Sequence, residues 1–328
     1  MTLSPDIPNK LHFKPFSHSW VAIHPKPKGI IQFVGSFFIF GSCPTFFYNS
    51  LFKSLYAKSY TIIAYSTPTI PPLILKSKLV DHWSASIDLL REEYAVKYKL
   101  IKYLLSLPEP PSVDIYLEQS NYFWLGHSLG CKYISLLEIL SNTENLQNSL
   151  QQCKFKPEDF KIIEDDLATI DEDRTNTDHK ITALLQENKI DKICSSKSFI
   201  TDQPSIFLAP EIHGTAEVNK IPIPVVPGFD LFPSGDQTLC LIEQTQGFFQ
   251  LTALIYFYQD NISEDDVKDL KRILGSVDNF IHQGFPGCDL KNKFLSGLAS
   301  HLKPVGSDIE NIGQFIDETY QKLKNRLN

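Results

Sequence analysis

The chain has 328 residues, of which 42% are hydrophobic and 21% charged, a composition typical of a globular protein and not of a disordered one. Its length fits one large α/β domain with a buried core, or two smaller domains. The formal net charge of −7 and the lack of a lysine and arginine cluster exclude a phosphate-tracking surface, so we expect no nucleic-acid partner.

The N-terminal stretch "MTLSPDIPNKLHF" has no basic region followed by an apolar run, so we predict no secretory signal. No apolar run reaches the length of a transmembrane segment. We therefore expect a soluble protein of the cytoplasm or of a plastid-like compartment. The cysteines are scattered without a C-x-x-C pair, so we predict that most are reduced and that they form no zinc site. They are Cys43, Cys131, Cys153, Cys194, Cys240 and Cys288.

Apolar segments typical of strands recur along the chain. Several are nearly continuous rather than alternating, which indicates strands buried on both faces of a parallel sheet. These segments are residues 20–25, 29–35, 60–66, 122–126, 205–211, 251–259 and 279–285.

Helical patterns separate these strands. Apolar side chains lie close to helical spacing over residues 87–105 and 129–140. Residues 263–275 begin with a serine and an acidic first turn and end with a glycine, which predicts a capped helix. Repeated alternation of strand and helix predicts a mostly parallel, doubly wound α/β sheet.

Residues 143–203 interrupt the alternation of strands and helices, because this segment is far longer than a crossover helix requires. From Lys154 to Lys192 there are eleven acidic and seven basic side chains. One interpretation is a solvated helical excursion. The other is a cap over a substrate pocket, and both remain open from the sequence.

Residues 126–130 read G-H-S-L-G and fit the pattern G-x-S-x-G, between a predicted strand and a predicted helix. In this pattern the serine lies on a strained turn, and side chains two residues away on either side would collide with it. The helix N-terminus favours negative charge that develops beside the serine. We therefore predict that Ser128 is a nucleophile, with a purely structural turn as the alternative.

An acyl-transfer enzyme also needs donors for an oxyanion. The backbone N–H of Leu129, directly after the nucleophile, is one candidate. The second donor is expected from the loop that follows the strand at 29–35, where Ser36 and Phe37 are the candidates.

The same loop is rich in phenylalanine. Most of these rings are expected in the core, but successive residues point in different directions, so one or two can line an apolar acyl pocket. The candidates for this pocket are Phe37, Phe38 and Phe40.

The acid of a triad should follow the nucleophile in the chain. Asp260 comes at the end of the predicted strand 251–259, where a carboxylate can orient a histidine. Glu211, after the preceding strand, is the second candidate.

Two histidines follow Asp260, namely His282 and His301. His282 lies inside a predicted strand and is expected to be held too rigidly and too deep. His301 lies in a predicted loop before the amphipathic C-terminal helix, where a base can reach the serine.

With these residues in place, the chain resembles a family of α/β-hydrolase-like proteins of unassigned function from cyanobacteria and plastid-bearing eukaryotes. The similar stretches include "GIIQFVGSFFIFGSCPTFFY", "GHSLGCKY" and "LIYFYQDNI". The family's ending resembles Pro-Gly-x-His-Leu-Thr-Pro, whereas here Asp289 stands at the histidine position and "SHLKP" follows later. Either an insertion has moved the histidine to position 301 or it is lost. The resemblance implies an α/β-hydrolase fold.

Together these features predict a single α/β-hydrolase domain over residues 1–328, with an insertion or cap at about 143–203. The predicted activity is that of a serine esterase or lipase-like hydrolase that acts on a small-molecule ester or lipid. Ser128, His301 and Asp260 form its triad, and no metal or organic cofactor is required. The alternative is a non-catalytic scaffold that binds a lipid, a pigment or a protein partner.

Overall fold

The apolar segments predicted as strands lie side by side in the computed structural model. The structure describes residues 10–36, 39–66, 79–108, 112–141, 145–197, 199–213, 230–306 and 309–327. The strands are β1 (Lys14–Phe16), β2 (Ser19–Ala22), β3 (Gly29–Val34), β4 (Tyr60–Tyr65), β5 (Leu79–Asp81), β6 (Tyr122–Ser128), β7 (Ser205–Pro210), β8 (Asp230–Phe232), β9 (Thr252–Phe257) and β10 (Ile281–Phe285).

Eight of these strands form one sheet in the order β1-β2-β4-β3-β6-β7-β9-β10. All neighbours from β4 to β10 are parallel, whereas β2 is antiparallel to both β1 and β4. β5 and β8 pair with each other in a separate parallel ribbon. The predicted mostly parallel sheet is confirmed, and β1, β5 and β8 are additions that the sequence pattern did not indicate.

Helices flank the sheet and connect its strands. They are α1 (Ile39–Ser42), α2 (Pro44–Phe47), α3 (Asn49–Ala57), α4 (His82–Leu105), α5 (Asp114–Leu117), α6 (Leu129–Leu140), α7 (Leu146–Gln152), α8 (Pro157–Glu187), α9 (Gly235–Gln244), α10 (Glu264–Leu274), α11 (Lys293–His301) and α12 (Glu310–Lys324).

Each face of the sheet has its own apolar core. Successive strand side chains point to opposite faces, so neighbouring residues of β3 enter different cores. Ile30 belongs to the core that includes apolar side chains of α4 and α6. Ile31 belongs to the core that includes side chains of α3 and α12. Burial on both faces explains why the central strands are mostly apolar.

The segment 143–203 is largely helical, as predicted, and α8 is its main element. The apolar side chains Ile163, Ile170, Ile181 and Leu185 of α8 join the core that α4 helps to form. Ion pairs from Arg91 of α4 to acidic side chains of α8 line the same contact. Most of the other acidic residues of α8 are exposed, so α8 packs beside α4 with a charged outer face, and the cap interpretation stays a prediction.

Cys153, directly after α7, forms a disulfide with Cys240 of α9. The sequence separation of 87 positions explains why the spacing of these two cysteines gave no sign of a bond. The other cysteines are free, namely Cys43, Cys131, Cys194 and Cys288. None of the described helices combines the length and the apolar character that crossing a membrane requires.

Gly130, the second residue of α6, lies against the end of β3. A Cβ atom at this position would come within 2.2 Å of the Val34 carbonyl oxygen and 2.9 Å of the Gly35 carbonyl oxygen. Both contacts are with backbone atoms, which cannot move aside without a cost in free energy. The missing side chain of Gly130 therefore allows the start of α6 to approach the β3 loop.

We expect Gly130→Ala to lower the free energy of unfolding by roughly 1–3 kcal/mol, because the added methyl group forces the helix and strand backbones apart. Gly247→Ala is the matched control, since a Cβ atom there meets nothing within 4 Å. Denaturant unfolding curves of the two variants measure the difference. Equal stability of both variants would contradict the close contact between α6 and β3.

Candidate active site

Ser128 is the last residue of β6 and directly precedes α6. Its backbone has φ 58° and ψ −124°, in the left-handed half of conformational space that a residue with a Cβ rarely adopts. The pairing register between β6 and β7 also shifts between His127 and Ser128. The strained turn expected from the G-x-S-x-G pattern is present at this position.

Gly126 lets the chain fold back tightly after this turn. A Cβ atom at Gly126 would lie 2.8 Å from the Cδ1 atom of Ile134 and 2.9 Å from the backbone nitrogen of Cys131. The first glycine of the pattern therefore makes room for α6, and Gly130 makes room for β3.

The structure brings Ser128, His301 and Asp260 together. The Ser128 Oγ atom lies 2.9 Å from His301 Nε2, and His301 Nδ1 lies 3.0 Å from Asp260 Oδ2. All three residues are buried. These are hydrogen-bond distances, so the three side chains form a continuous chain from hydroxyl to carboxylate.

The Asp260 carboxylate is also held by the backbone that follows it. Its Oδ1 atom accepts hydrogen bonds from the N–H groups of Ile262 at 3.0 Å and Ser263 at 3.2 Å, and its Oδ2 atom accepts one from the Ser263 hydroxyl. Burial raises the pKa of Asp260. The charge of His301 and the hydrogen bonds to the carboxylate lower it by more, so the pKa lies below its usual 3.8. Asp260 is therefore ionised at neutral pH.

Burial alone lowers the pKa of His301, but the Asp260 carboxylate raises it by more. The carboxylate of Asp266 acts in the same direction, as an ionised Glu211 would, and the pKa lies above its usual 6.5. Because ionised Asp260 can only accept, His301 Nδ1 carries a hydrogen in either charge state. In the neutral ring, Nε2 is then the acceptor that faces Ser128.

The structure corrects two predictions about the histidines. His301 is the last residue of α11 rather than part of a loop, because the helical turn continues through the bond from Leu302 N–H to the Leu298 carbonyl. His282 lies on β10 as predicted, but it is exposed rather than deep. Asp289 is exposed, and the histidine beside Ser128 is His301.

Leu129 is the first residue of α6, so its N–H has no acceptor within the helix. The backbone N–H of Ser36 instead donates to the hydroxyl oxygen of Tyr48 at 3.2 Å. The prediction of Ser36 as a free oxyanion donor is therefore wrong for this conformation. Phe37 and Phe38 lie outside the described residues.

Phe40, the remaining candidate for the pocket, belongs to α1 and is half-buried. Its ring centroid lies 4.8 Å from that of Phe47. A cavity of about 690 Å³ adjoins Asp260, but neither Ser128 nor His301 lines it, so it is not a pocket for the reacting group. The acyl pocket stays a prediction.

His127 links the loop after β3 to His301, a role that the sequence did not indicate. Its Nε2 atom lies 3.0 Å from the His301 carbonyl oxygen, and its Nδ1 atom lies 2.7 Å from the Tyr48 hydroxyl. A carbonyl only accepts, so Nε2 carries the hydrogen and Nδ1 accepts from Tyr48. Burial lowers the pKa of His127 to about 3, so the ring stays neutral and holds the His301 backbone in place.

Glu211 lies on the other side of the nucleophile. The Glu211 Oε2 atom is 3.0 Å from Ser128 Oγ, and the Glu211 N–H donates to the Ser128 carbonyl oxygen at 3.1 Å. The sequence indicated Glu211 only as a second candidate for the acid beside the histidine. The structure instead places its carboxyl group against the serine.

The site therefore contains a serine hydroxyl, an imidazole that can accept its proton and an ionised carboxylate that can stabilise the imidazolium. Within the described ranges, no group of three or more His, Cys, Asp or Glu side chains could hold a metal ion.

Several solved structures are similar to the chain as a whole. A putative carboxylesterase from Lactobacillus plantarum is 11% identical, with a TM-score of 0.51 over 95% of this chain and 98% of that chain. Esterase B from Lactobacillus rhamnosis is 9% identical, with a TM-score of 0.49 over 98% and 88% of the two chains. A dienelactone hydrolase from Anabaena variabilis is 10% identical, with a TM-score of 0.40 over 95% of this chain and 96% of that chain.

The predicted α/β-hydrolase fold is confirmed by the mostly parallel sheet, its flanking helices and the similarity to the putative carboxylesterase. Among curated protein sequences, none matches the chain. The sequence matches the protein family of unknown function DUF1350 over residues 12–327. Because this match extends over nearly the whole sequence, the chain belongs to the DUF1350 family.

Proposed function

We propose that the protein is a serine hydrolase that acts on carboxylic esters, with Ser128 as nucleophile, His301 as base and Asp260 as the acid that orients the base. The observation that carries this proposal is the continuous hydrogen-bonded chain through these side chains, with separations of 2.9 and 3.0 Å. The strained backbone of Ser128 supports it, because such strain is concentrated at functional sites.

In the proposed reaction, Ser128 Oγ bonds to the ester carbonyl carbon while its proton passes to His301 Nε2. Asp260 stays ionised and stabilises the imidazolium. The imidazolium then gives the proton to the departing alcohol, which leaves the acyl group on Ser128. A water molecule repeats the sequence with His301 as base, and the carboxylic acid is released. These steps require neither a metal nor an organic cofactor.

The oxyanion of each tetrahedral intermediate would bind the N–H of Leu129, at the positive end of α6. Because the N–H of Ser36 is already bonded to Tyr48, we assign the second donor to Phe37. Phe37, Phe38 and Phe40 would line the acyl pocket. We infer that the whole site belongs to a single domain, to which residues 143–203 are an insertion.

A fluorophosphonate probe should label the wild-type protein, because a serine with a bound base attacks phosphorus as it attacks an ester. Ser128→Ala should abolish the labelling. Ser135→Ala is the matched control, since Ser135 is buried on α6 and its hydroxyl donates to the Cys131 carbonyl. Gel fluorescence and peptide mass spectrometry measure the label. A folded wild-type protein that is not labelled would favour the scaffold that binds a lipid, a pigment or a protein partner.

His301→Ala should slow the labelling by about a thousandfold or more, because Ser128 loses its proton acceptor. His282→Ala should change the rate little, since His282 is exposed on β10. The wild-type rate should fall as the pH drops through the pKa of His301, which lies above 6.5, because the protonated ring cannot accept a proton. Circular dichroism checks the folding of each variant. Interchanged effects of the two substitutions would show that the base is misassigned.

Among p-nitrophenyl esters, we expect the protein to prefer short or medium aliphatic acyl groups over charged ones, because phenylalanine side chains favour apolar groups. Values of kcat/KM across the series measure the preference. Faster hydrolysis of acidic or phosphorylated substrates would contradict the apolar pocket.

A further inference from the structure

The carboxyl group of Glu211 is built into the site but has no role in the mechanism above. Glu211 is 2% exposed, and its Oε2 atom lies 3.0 Å from Ser128 Oγ. Its backbone N–H is bonded to the Ser128 carbonyl oxygen, which fixes the residue beside the turn. Within the described part of the chain, the Oε1 atom is buried and has no hydrogen-bond partner.

The hydroxyl group of Ser128 therefore has two possible acceptors. His301 Nε2 is 2.9 Å away and Glu211 Oε2 is 3.0 Å away, but a hydroxyl group donates only one hydrogen. An ionised Glu211 can only accept, so it competes with His301 for this hydrogen. A protonated Glu211 can donate to Ser128 Oγ, which leaves the serine hydrogen directed at His301.

The surroundings of Glu211 favour its protonated form. A buried, unpartnered Oε1 atom is costly on an ionised carboxylate and much less so on a neutral carboxyl group. Asp260 and Asp266 add negative charge nearby, whereas His301 is the facing group that can be positive. Asp266 is itself bonded to the backbone N–H of Ile212 and to the ring of His213.

The directions of the pKa shifts agree with this geometry. Burial raises the pKa of Glu211, and His301 and the Ser128 hydroxyl only partly oppose the shift. The pKa of Asp260 is lowered instead. Two carboxyl groups with opposite shifts in one site are typical of a division between a neutral and an ionised role.

We propose that Glu211 is a further catalytic residue, whose protonated carboxyl group donates a hydrogen bond to Ser128 Oγ and thereby directs the serine hydrogen to His301. Loss of the Glu211 proton turns the carboxylate into the competing acceptor and disables the nucleophile. This inference rests on the proposed serine hydrolase function.

The proton balance of the reaction is simple under this proposal. During attack the serine proton passes to His301, and Glu211 keeps its own. When the acyl group leaves, the bond between carbon and Ser128 Oγ breaks and His301 returns a proton to that oxygen. The hydrogen bond from Glu211 stabilises the negative charge that develops there.

In the active state Glu211 is protonated and the His301 ring is neutral, and because both groups contact Ser128 Oγ they titrate as a coupled pair. A second proton on the pair removes the base, and loss of the only proton removes the Glu211 donor. The rate of labelling by a fluorophosphonate should therefore be bell-shaped, with an acid fall as His301 is protonated and an alkaline fall as Glu211 loses its proton.

Glu211→Gln tests the alkaline side of this profile. The glutamine amide donates to Ser128 Oγ at every pH, so the variant should lose the alkaline fall and reach a plateau within about tenfold of the wild-type maximum. Glu211→Asp keeps a titrating carboxyl group and should keep the bell shape. Labelling rate constants are measured with the reagent's own hydrolysis subtracted at each pH, and circular dichroism checks folding.

Glu138→Gln is the matched control. Glu138 is buried on α6, where its carboxyl group bonds to the Ser205 hydroxyl, and burial raises its pKa to about 8. Deprotonation of Glu138 could thus lower the labelling rate at high pH without any contact with Ser128. The proposal requires that Glu138→Gln keep the bell-shaped profile.

Three results would overturn the role of Glu211 while the serine still reacts. They are a wild-type rate that stays level at high pH, an alkaline fall that persists in Glu211→Gln, and a folded Glu211→Gln protein that no longer reacts. The last would indicate an ionised carboxylate that acts as a base. If Glu211→Gln does not fold, the pH profiles of labelling of the wild type and of Glu211→Asp test the proposal, because both should be bell-shaped. A wild-type protein that reacts at no pH would instead overturn the proposed function itself.

Discussion

Ser128 holds its backbone at φ 58° and ψ −124°, a conformation that costs a residue with a side chain roughly 1–3 kcal/mol. The surrounding backbone leaves no room to relax, because Gly126 lies against the start of α6 and Gly130 against the end of β3. The turn therefore projects the serine at the edge of the sheet. Since the carboxyl ends of parallel strands meet at one edge, β7 and β9 bring Glu211 and Asp260 to the same place.

Two hydrogen-bonded systems hold His301, the last residue of α11, at this edge. Its ring is fixed by Asp260, and its backbone carbonyl is fixed by neutral His127, which is in turn bonded to Tyr48. Tyr48 also accepts the Ser36 N–H, so the loop after β3 is tied to the base. Displacement of this loop would therefore affect the position of the imidazole as well as the proposed oxyanion donor Phe37.

The sequence predicted those features that depend on local pattern. Continuous apolar runs identified the buried strands, and the glycine spacing identified the turn at Ser128. The strand end singled out Asp260, which the structure places within hydrogen-bond distance of His301. Contacts between distant segments left no such pattern. The Cys153–Cys240 disulfide, the bond from Ser36 to Tyr48 and the approach of Glu211 to Ser128 all arise from packing. The helical position of His301 was missed for a local reason, because small residues before it weakened the helical pattern.

The central claim is that Ser128 attacks an electrophile whose developing negative charge is held at the start of α6. A crystal structure of the protein after reaction with a phosphonate ester tests this directly. We expect a covalent bond from Ser128 Oγ to phosphorus, with a phosphoryl oxygen within about 3 Å of the Leu129 nitrogen and His301 Nε2 still beside Oγ. An adduct on another residue, or a phosphoryl oxygen that faces away from α6, would contradict it.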